Sequence, residues 1–240
     1  MKHFYSIFDT MLNRRLFGER IENMNSPYTF KHIPPMMNNG DSRQPAIFLF
    51  HGLGSNEDDL IQLVGEIKDH CHIFSLRGPI THSPGYAFYT FEEEGKPTRE
   101  VFDKMMGYTQ NFILEAIEHY ELNVDKIYLI GFNQGAVVVE TLTLLLGKMI
   151  RGTVALSGFL PDFVITEYNK APLAGTKIFI SHGEYDYVYP IQWGESSKNY
   201  FQSQGAEVIY KTYPDGHGVT EDNLRDLVEF IAQDLNNPVN

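Results

Sequence analysis

Residues 127–136 read IYLIGFNQGA, a short apolar run followed by Phe132, Asn133 and Gln134 between two glycines. A short apolar run that ends in a turn signal predicts a buried strand, and the residues after Gly135 have helical periodicity. The flanking glycines allow a sharp strand-to-helix turn to close without a clash, and such a turn holds its central side chain above the sheet. That central residue is Asn133, which tolerates the left-handed backbone region and is also a good helix N-cap. The segment therefore predicts a strand, an elbow turn and a helix, with a carboxamide at the apex of the turn.

The rest of the chain repeats this alternation. Short apolar runs alternate with longer segments of helical periodicity, which predicts an α/β fold with a mostly parallel central sheet flanked by helices. The predicted strands lie at about Tyr28–Ile33, Ala46–Phe50, His72–Leu76, Ile127–Ile130, Thr153–Leu156, Lys177–Ser181 and Val208–Tyr213. The predicted helices lie at about Asp58–Lys68, Arg99–Tyr120, Gln134–Leu146, Gln192–Gln204 and Glu221–Asp234.

The domain organisation follows from length and from one linker candidate. A chain of 240 residues with 42% hydrophobic residues predicts one globular domain. The stretch from Pro34 to Gly40 is rich in Pro, Asn and Gly, so we expect an N-terminal extension with the first strand over residues 1–40 and a single α/β domain over 41–240. Residues 1–27 are compatible with a helix laid on the domain, an oligomer contact, as in a homodimer, or a mobile arm.

Charge and composition exclude several classes of partner. A formal net charge of -12 repels nucleic acid and anionic lipid, which leaves a small molecule or a protein as the expected partner. The single cysteine, Cys71, excludes an intramolecular disulfide and a cysteine-based zinc site, and it fits a reducing cytoplasm. The most apolar stretch, Val137 to Leu146, contains Glu140 and is too short to span a membrane. Since the N-terminus also lacks the pattern of a signal peptide, we expect a cytoplasmic protein that needs no metal or cofactor.

Two further motifs place an acid and a histidine after predicted strands. Asp186 follows the strand that ends near Ser181, and His217 lies between two glycines after the last strand. Alone, Asp186 would be interpreted as a turn residue and His217 as a loop residue. Together with position 133 they occur in the order nucleophile, acid, histidine, each beyond the carboxyl end of a strand, where such sheets bind their ligands. This arrangement predicts a hydrolytic triad.

Two loops complete the candidate site. The segment Phe50-His51-Gly52-Leu53-Gly54-Ser55 follows the first core strand and can aim a backbone N–H at a developing oxyanion, although His51-Gly52 alone is also typical of a strand-ending turn. The oxyanion hole is accordingly assigned to Leu53 and Gln134. The long segment Gly78–Pro97 is a candidate substrate loop, and its aromatic residues predict an apolar acyl pocket if it folds over the site. These aromatic residues are Tyr86, Phe88, Tyr89 and Phe91.

Six blocks of the sequence resemble, in the same order, those of the phospholipase/carboxylesterase family, which includes acyl-protein thioesterases. The blocks are LFHGLGSNEDDL, LRGP, LIGFNQGA, ALSGFLP, HGEYDYVYP and GHGV, and the resemblance covers about residues 45 to 235. It implies the α/β-hydrolase fold, ester or thioester substrates, triad positions 133, 186 and 217, and oxyanion-hole positions at Leu53 and Gln134. The family pattern reads Gly-Phe-Ser-Gln-Gly where this chain has Asn133.

This departure removes the expected nucleophile. The lone pair of a carboxamide nitrogen is delocalised, so His217 cannot activate Asn133 as it would a hydroxyl. The neighbouring hydroxyls of Ser55, Ser157 and Ser181 do not lie between elbow glycines and are interpreted as ordinary loop residues. We therefore expect acyl-enzyme catalysis to be lost or strongly reduced.

Three explanations of Asn133 remain open. It is a substitution in a serine esterase, it marks a non-catalytic pseudo-hydrolase that binds a small acyl ligand or a protein partner, or it belongs to a site in which His217 activates water directly. A variant of the third explanation is deamidation of Asn133 to a nucleophilic aspartate, which a mass increase of about one dalton would reveal.

Overall fold

The computed structural model describes residues 26–37, 43–93 and 95–235. The alternatives for residues 1–27 therefore concern a segment that lies almost entirely outside the described residues, as do residues 38–40 of the predicted linker. The described strands are β1 (Phe30–Ile33), β2 (Ala46–Phe50), β3 (His72–Leu76), β4 (Ile80–His82), β5 (Gly85–Ala87), β6 (Phe91–Glu93), β7 (Lys96–Pro97), β8 (Ile127–Phe132), β9 (Gly152–Leu156), β10 (Lys177–Gly183) and β11 (Glu207–Tyr213). The described α-helices are α1 (Arg99–His119), α2 (Gln134–Leu146), α3 (Asp162–Glu167), α4 (Ile191–Ser203) and α5 (Glu221–Leu235).

Seven of these strands form the central sheet, in the spatial order β1-β3-β2-β8-β9-β10-β11. Strand β1 pairs antiparallel with β3, and all other neighbours pair in parallel. The prediction of a mostly parallel sheet flanked by helices is confirmed. Parallel strands bring their carboxyl ends to one edge, and the segments after β2, β8, β10 and β11 all begin there.

The sheet is buried on both faces, which explains why strand β2 is apolar throughout. Phe48 and Phe50 point to the face that packs against α1 to α4, whereas Ile47 and Leu49 point to the opposite face. Successive side chains of a strand alternate between faces, so a strand covered on both sides needs an unbroken apolar run. The opposite face is covered by α5 and by a 3-10 helix at Asp59–Val64.

Three local differences from the sequence predictions were found. The helix predicted over Asp58–Lys68 is replaced by two 3-10 segments, Asp59–Val64 and Lys68–His70, on either side of Gly65, a residue type that weakens α-helices. The segment Gly78–Pro97 forms two short antiparallel hairpins, β4–β5 and β6–β7. Helix α3 was not predicted. Among the described residues, no helix is long and apolar enough to cross a membrane.

Candidate active site

The elbow predicted at the end of β8 is present. Asn133 has φ 54° and ψ -116°, in the positive-φ region that few side chains adopt. A Cβ on Gly131 would lie 2.1 Å from the carbonyl oxygen of Gly135, and one on Gly135 would lie 1.8 Å from the carbonyl oxygen of Phe50. Both positions therefore require glycine, because any side chain would collide with backbone atoms.

A continuous chain of hydrogen bonds joins the predicted triad positions. Oδ2 of Asp186 is 2.8 Å from Nδ1 of His217, and Nε2 of His217 is 2.9 Å from Nδ2 of Asn133. At the other end, the backbone N–H of Leu53 donates to Oδ1 of Asn133 across 3.0 Å. The structure thus brings together four of the residues predicted from sequence. One side chain, that of Asn133, connects the predicted oxyanion donor to the predicted catalytic histidine.

The donors among these hydrogen bonds define the tautomer of His217. The Leu53 N–H needs an acceptor, so the oxygen of the Asn133 carboxamide faces Leu53 and its nitrogen faces His217. A carboxamide nitrogen only donates, so Nε2 of His217 accepts. The ring proton then lies on Nδ1, where it donates to Asp186. This is the tautomer in which a histidine can accept a proton at Nε2.

Asp186 is held as a carboxylate by three donors. Besides His217, the backbone N–H groups of Val188 and Tyr189 donate to its Oδ1 at 2.8 and 2.9 Å. Burial by itself would raise the pKa of Asp186, but these hydrogen bonds favour the ionised form more strongly and lower the pKa below its usual value. The acid is therefore charged and has a single well-defined orientation towards His217.

A second histidine supports the acid loop and was not predicted from sequence. Nε2 of His182 is 2.9 Å from the carbonyl oxygen of Tyr189 and 3.4 Å from Oδ2 of Asp186. Burial lowers the pKa of His182 below its usual value, so the ring is neutral and Nε2 donates to Tyr189. The available signal was a histidine followed by glycine at a strand end, which also occurs at His51-Gly52.

The side chain of Gln134 attaches the candidate substrate loop, Gly78–Pro97, to the elbow. Its Oε1 accepts from the backbone N–H of Phe88, and its Nε2 donates to the carbonyl oxygen of Tyr89, both at 2.9 Å. The side chain is fully buried. The role predicted for its backbone N–H, as the second oxyanion donor, stays a prediction.

The four aromatic residues predicted to form an acyl pocket differ in burial and in contacts. Phe88 and Tyr89 lie in the hydrophobic core, with exposures of 0% and 1%, and Phe91 packs against Tyr89. Tyr86 exchanges backbone hydrogen bonds with the predicted oxyanion loop, donating to Ser55 and accepting from Gly54, and its hydroxyl accepts from Arg77. The segment Gly78–Pro97 packs beside the elbow, where the side chain of Gln134 binds the backbone of Phe88 and Tyr89. A role of the four aromatic residues in binding an acyl group stays a prediction.

An open cavity lies next to His217, on the face of the sheet that α5 covers. Its volume is about 410 Å³. Its walls come mainly from the apolar residues on the sheet face that α5 and the 3-10 helix cover. Its lining residues are Asp59, Leu60, Gln62, Leu63, Phe132, His217, Gly218, Val219 and Leu224. Most of this lining is apolar, as is typical of sites for small organic groups.

The parallel sheet, with its elbow between β8 and α2, defines the class of α/β-hydrolases. The model of the phospholipase/carboxylesterase family matches residues 32–235, and the chain belongs to that family.

Two relatives agree with this assignment, and one solved structure agrees with the fold. The chain is 31% identical to acyl-protein thioesterase 1 of Candida albicans over an alignment of 215 positions that covers 80% of this chain and 93% of the relative. It is 34% identical to acyl-protein thioesterase 1 of Debaryomyces hansenii over 164 residues, covering 64% and 70% of the two chains. The crystal structure of the Bacillus cereus carboxylesterase matches with a TM-score of 0.78 at 23% identity, covering 87% of this chain and 95% of that one, and supports the fold.

Proposed function

We propose that this chain is a carboxylesterase- or thioesterase-type hydrolase for small acyl esters whose acyl-enzyme route is lost or strongly reduced because Asn133 occupies the nucleophile position. The observation that carries the proposal is the double engagement of the Asn133 carboxamide, which accepts from the N–H of Leu53 and donates to Nε2 of His217. Membership of a family of ester and thioester hydrolases supports the substrate class.

In this proposal each neighbour of Asn133 has a role in acyl transfer. Asp186 orients His217, and His217 is the general base. The N–H groups of Leu53 and Gln134 stabilise the negative charge that develops on the substrate carbonyl oxygen. The short distances within the Asp186, His217 and Asn133 chain support these roles.

Asn133 reduces turnover in two ways. Its delocalised nitrogen is not a nucleophile that His217 can activate. Its Oδ1 also lies 3.0 Å from the Leu53 nitrogen, at the donor that a substrate oxyanion would need. Asn133 therefore removes one catalytic group and competes with the substrate for another.

A weaker route with water as the nucleophile remains available. If the Asn133 side chain rotates away, Nε2 of His217 can accept a proton from a water molecule that attacks the bound ester. A characterised protease without its nucleophile still retains roughly 10³-fold to 10⁴-fold catalysis over water from the oxyanion hole and binding. We expect basal turnover of this low order.

The cavity beside His217 suits the apolar part of the substrate. A volume of about 410 Å³ lies within the range of small-molecule sites, and Leu60, Leu63 and Leu224 contribute apolar wall. Asp59 adds a negative charge to the lining, which disfavours an anionic group. An uncharged acyl chain or alcohol group therefore fits the cavity best.

The decisive experiment compares hydrolysis of short and medium p-nitrophenyl esters by the native chain, Asn133→Ser and Asn133→Ala. We expect Asn133→Ser to exceed both other forms by several orders of magnitude, because it restores a hydroxyl that His217 can activate and because removal of such a serine costs about 10⁶-fold in kcat in a characterised protease. The variant Asn133→Ser/His217→Ala should lose this gain. If folded Asn133→Ser is no faster than Asn133→Ala, the site is not a competent esterase, and a non-catalytic acyl-binding protein becomes the better description.

A further inference from the structure

We propose that His51 is a positioning residue that orients and polarises the backbone N–H of Leu53, the oxyanion donor of the proposed function on which this inference rests. His51 directly follows strand β2, and its side chain is almost completely buried, with 1% exposure. Its ring does not contact Asn133 or His217 through any described hydrogen bond. Its effect on the site passes through the backbone.

Both ring nitrogens of His51 have defined partners. The backbone N–H of Gly78 donates to Nε2 across 2.9 Å, and Nδ1 lies 2.7 Å from the carbonyl oxygen of Gly52. Because Nε2 accepts, the ring proton lies on Nδ1 and is donated to Gly52. Burial lowers the pKa of His51 below its usual value, which agrees with the neutral ring that this arrangement needs.

The carbonyl of Gly52 and the N–H of Leu53 belong to the same peptide group. This group is planar, and in the trans form its C=O and N–H point in opposite directions. A hydrogen bond from His51 to the Gly52 oxygen on one side therefore directs the Leu53 N–H to the other side, where it reaches Oδ1 of Asn133 at 3.0 Å. Donation to the carbonyl also polarises the amide and strengthens its N–H as a donor.

The surroundings leave this peptide little freedom. A Cβ on Gly52 would lie 3.1 Å from the Phe132 ring and 3.2 Å from Cβ of Asn133, so the loop backbone lies directly against the elbow. The N–H of Ser55 also donates to the Gly52 oxygen, at 3.2 Å. A small rotation of the peptide would move the Leu53 N–H away from the site, and the buried imidazole opposes that rotation.

Two substitutions separate the two hydrogen bonds of His51. The carboxamide of Asn places its nitrogen near the position of Nδ1, so His51→Asn can still donate to Gly52 but cannot reach Gly78. The longer side chain of Gln places its amide near the position of Nε2, so His51→Gln can still accept from Gly78 but cannot donate to Gly52. His51→Ala removes both contacts, and thermal unfolding of each variant reports the general cost to the fold.

The first readout is kinetic, in the Asn133→Ser form. We expect His51→Gln and His51→Ala to lose about 10²-fold in kcat with little change in KM, which is the order of effect seen when one oxyanion donor is lost. We expect His51→Asn to keep most of the kcat of the Asn133→Ser parent, even if its Tm is as low as that of His51→Gln. Losses in kcat that follow Tm alone, or His51→Gln faster than His51→Asn, would overturn the proposal.

The second readout does not need activity. In the native chain, the ¹H and ¹⁵N chemical shifts of the Leu53 amide report the strength of its hydrogen bond to Asn133. We expect the Leu53 proton to move upfield in His51→Gln and to stay near its native position in His51→Asn. If the Asn133→Ser form is inactive, the proposed function fails, while these shifts still support or overturn the positioning role of His51.

Discussion

Nδ2 of Asn133 lies 2.9 Å from Nε2 of His217, and in this contact the carboxamide nitrogen is the donor. The lone pair that would accept a proton from a serine or a water molecule is therefore engaged by Asn133 itself. The same side chain covers the Leu53 N–H. In the resting structure, the two groups that the proposed acyl transfer would use therefore both bind Asn133.

This contact predicts the tautomer of His217. In the neutral ring we expect the proton on Nδ1, because Asn133 donates to Nε2 and Asp186 accepts from Nδ1. Long-range ¹H–¹⁵N correlation of ¹⁵N-histidine-labelled protein would assign the two nitrogens directly. A ring protonated at Nε2 and not at Nδ1 would contradict the hydrogen-bond assignment and reverse the carboxamide of Asn133.

Removing the Asn133 carboxamide without adding a nucleophile should raise the residual rate. We expect Asn133→Ala to hydrolyse p-nitrophenyl acetate roughly five- to thirtyfold faster than the native chain, the effect of freeing one or two hydrogen-bonding groups of about 1 kcal/mol each. The rate would be measured at high protein concentration with Asn133→Ala/His217→Ala as the control. A native chain as fast as Asn133→Ala would show that Asn133 does not compete with substrate.

The cavity beside His217 predicts which substitution changes chain-length preference. Leu224→Trp should fill part of the cavity and, in the Asn133→Ser form, lower kcat/KM for p-nitrophenyl octanoate about tenfold relative to the acetate, within the range of hydrophobic pocket effects. Arg225→Trp, one residue further on the same helix and outside the cavity lining, is the matched control.

The pattern of losses identifies the group that the cavity binds. A selective loss for the octanoate assigns the cavity to the acyl chain. An equal loss for both esters assigns it to the leaving group. Two variants indistinguishable from the parent would exclude this cavity as part of the substrate site.

Glu140, in helix α2, predicts an unusual dependence of stability on pH. Its side chain is fully buried, its Oε2 accepts from the Ser197 hydroxyl at 2.6 Å, and burial raises its pKa to about 8 although Ser197 acts in the opposite direction. Between about pH 4.5 and 8 the folded state keeps a proton that the unfolded state has lost. Unfolding free energy should therefore fall as pH rises through this window, by roughly 1.4 kcal/mol per pH unit.

Glu140→Gln should remove this slope, because the amide keeps an acceptor for Ser197 and cannot ionise. Both forms would be unfolded with urea at pH 5 and at pH 8. From pH 5 to pH 8, the unfolding free energy of the variant should rise relative to that of the native chain by on the order of 4 kcal/mol. Glu66→Gln, at an exposed position, controls for the loss of one charge. A difference between native chain and Glu140→Gln that is the same at both pH values would contradict a buried neutral carboxyl.

Much of the fold could be predicted because its signals are local. The bounds of β2, β3 and α2 agree with the sequence predictions to the residue, since an apolar run or a helical period within a few turns is enough to define them. The 3-10 segments around Gly65 were mistaken for one helix, because their apolar spacing also satisfies a helical period.

The site was predictable only to the level of its motifs. The order of position 133, Asp186 and His217 indicated that three strand ends would meet, and they do. The direction of the Phe88 and Tyr89 rings was not predictable, because the backbone of these two residues is held by hydrogen bonds with Gln134, which lies 46 and 45 positions away in sequence. Sequence periodicity carries no signal for such contacts.

By itself the sequence determined the class of fold, the order of the site residues and the absence of a nucleophilic hydroxyl at the elbow, all properties of residue type and short-range spacing. Only the tertiary structure decided that the Asn133 carboxamide bridges Leu53 and His217, that the open cavity lies on the α5 face of the sheet, and that His51 binds the peptide group of Leu53. The Asn133 bridge and the cavity depend on the relative positions of loops far apart in sequence, which packing alone brings together. The orientation of the His51 ring likewise depends on the hydrogen bond that it accepts from the distant Gly78.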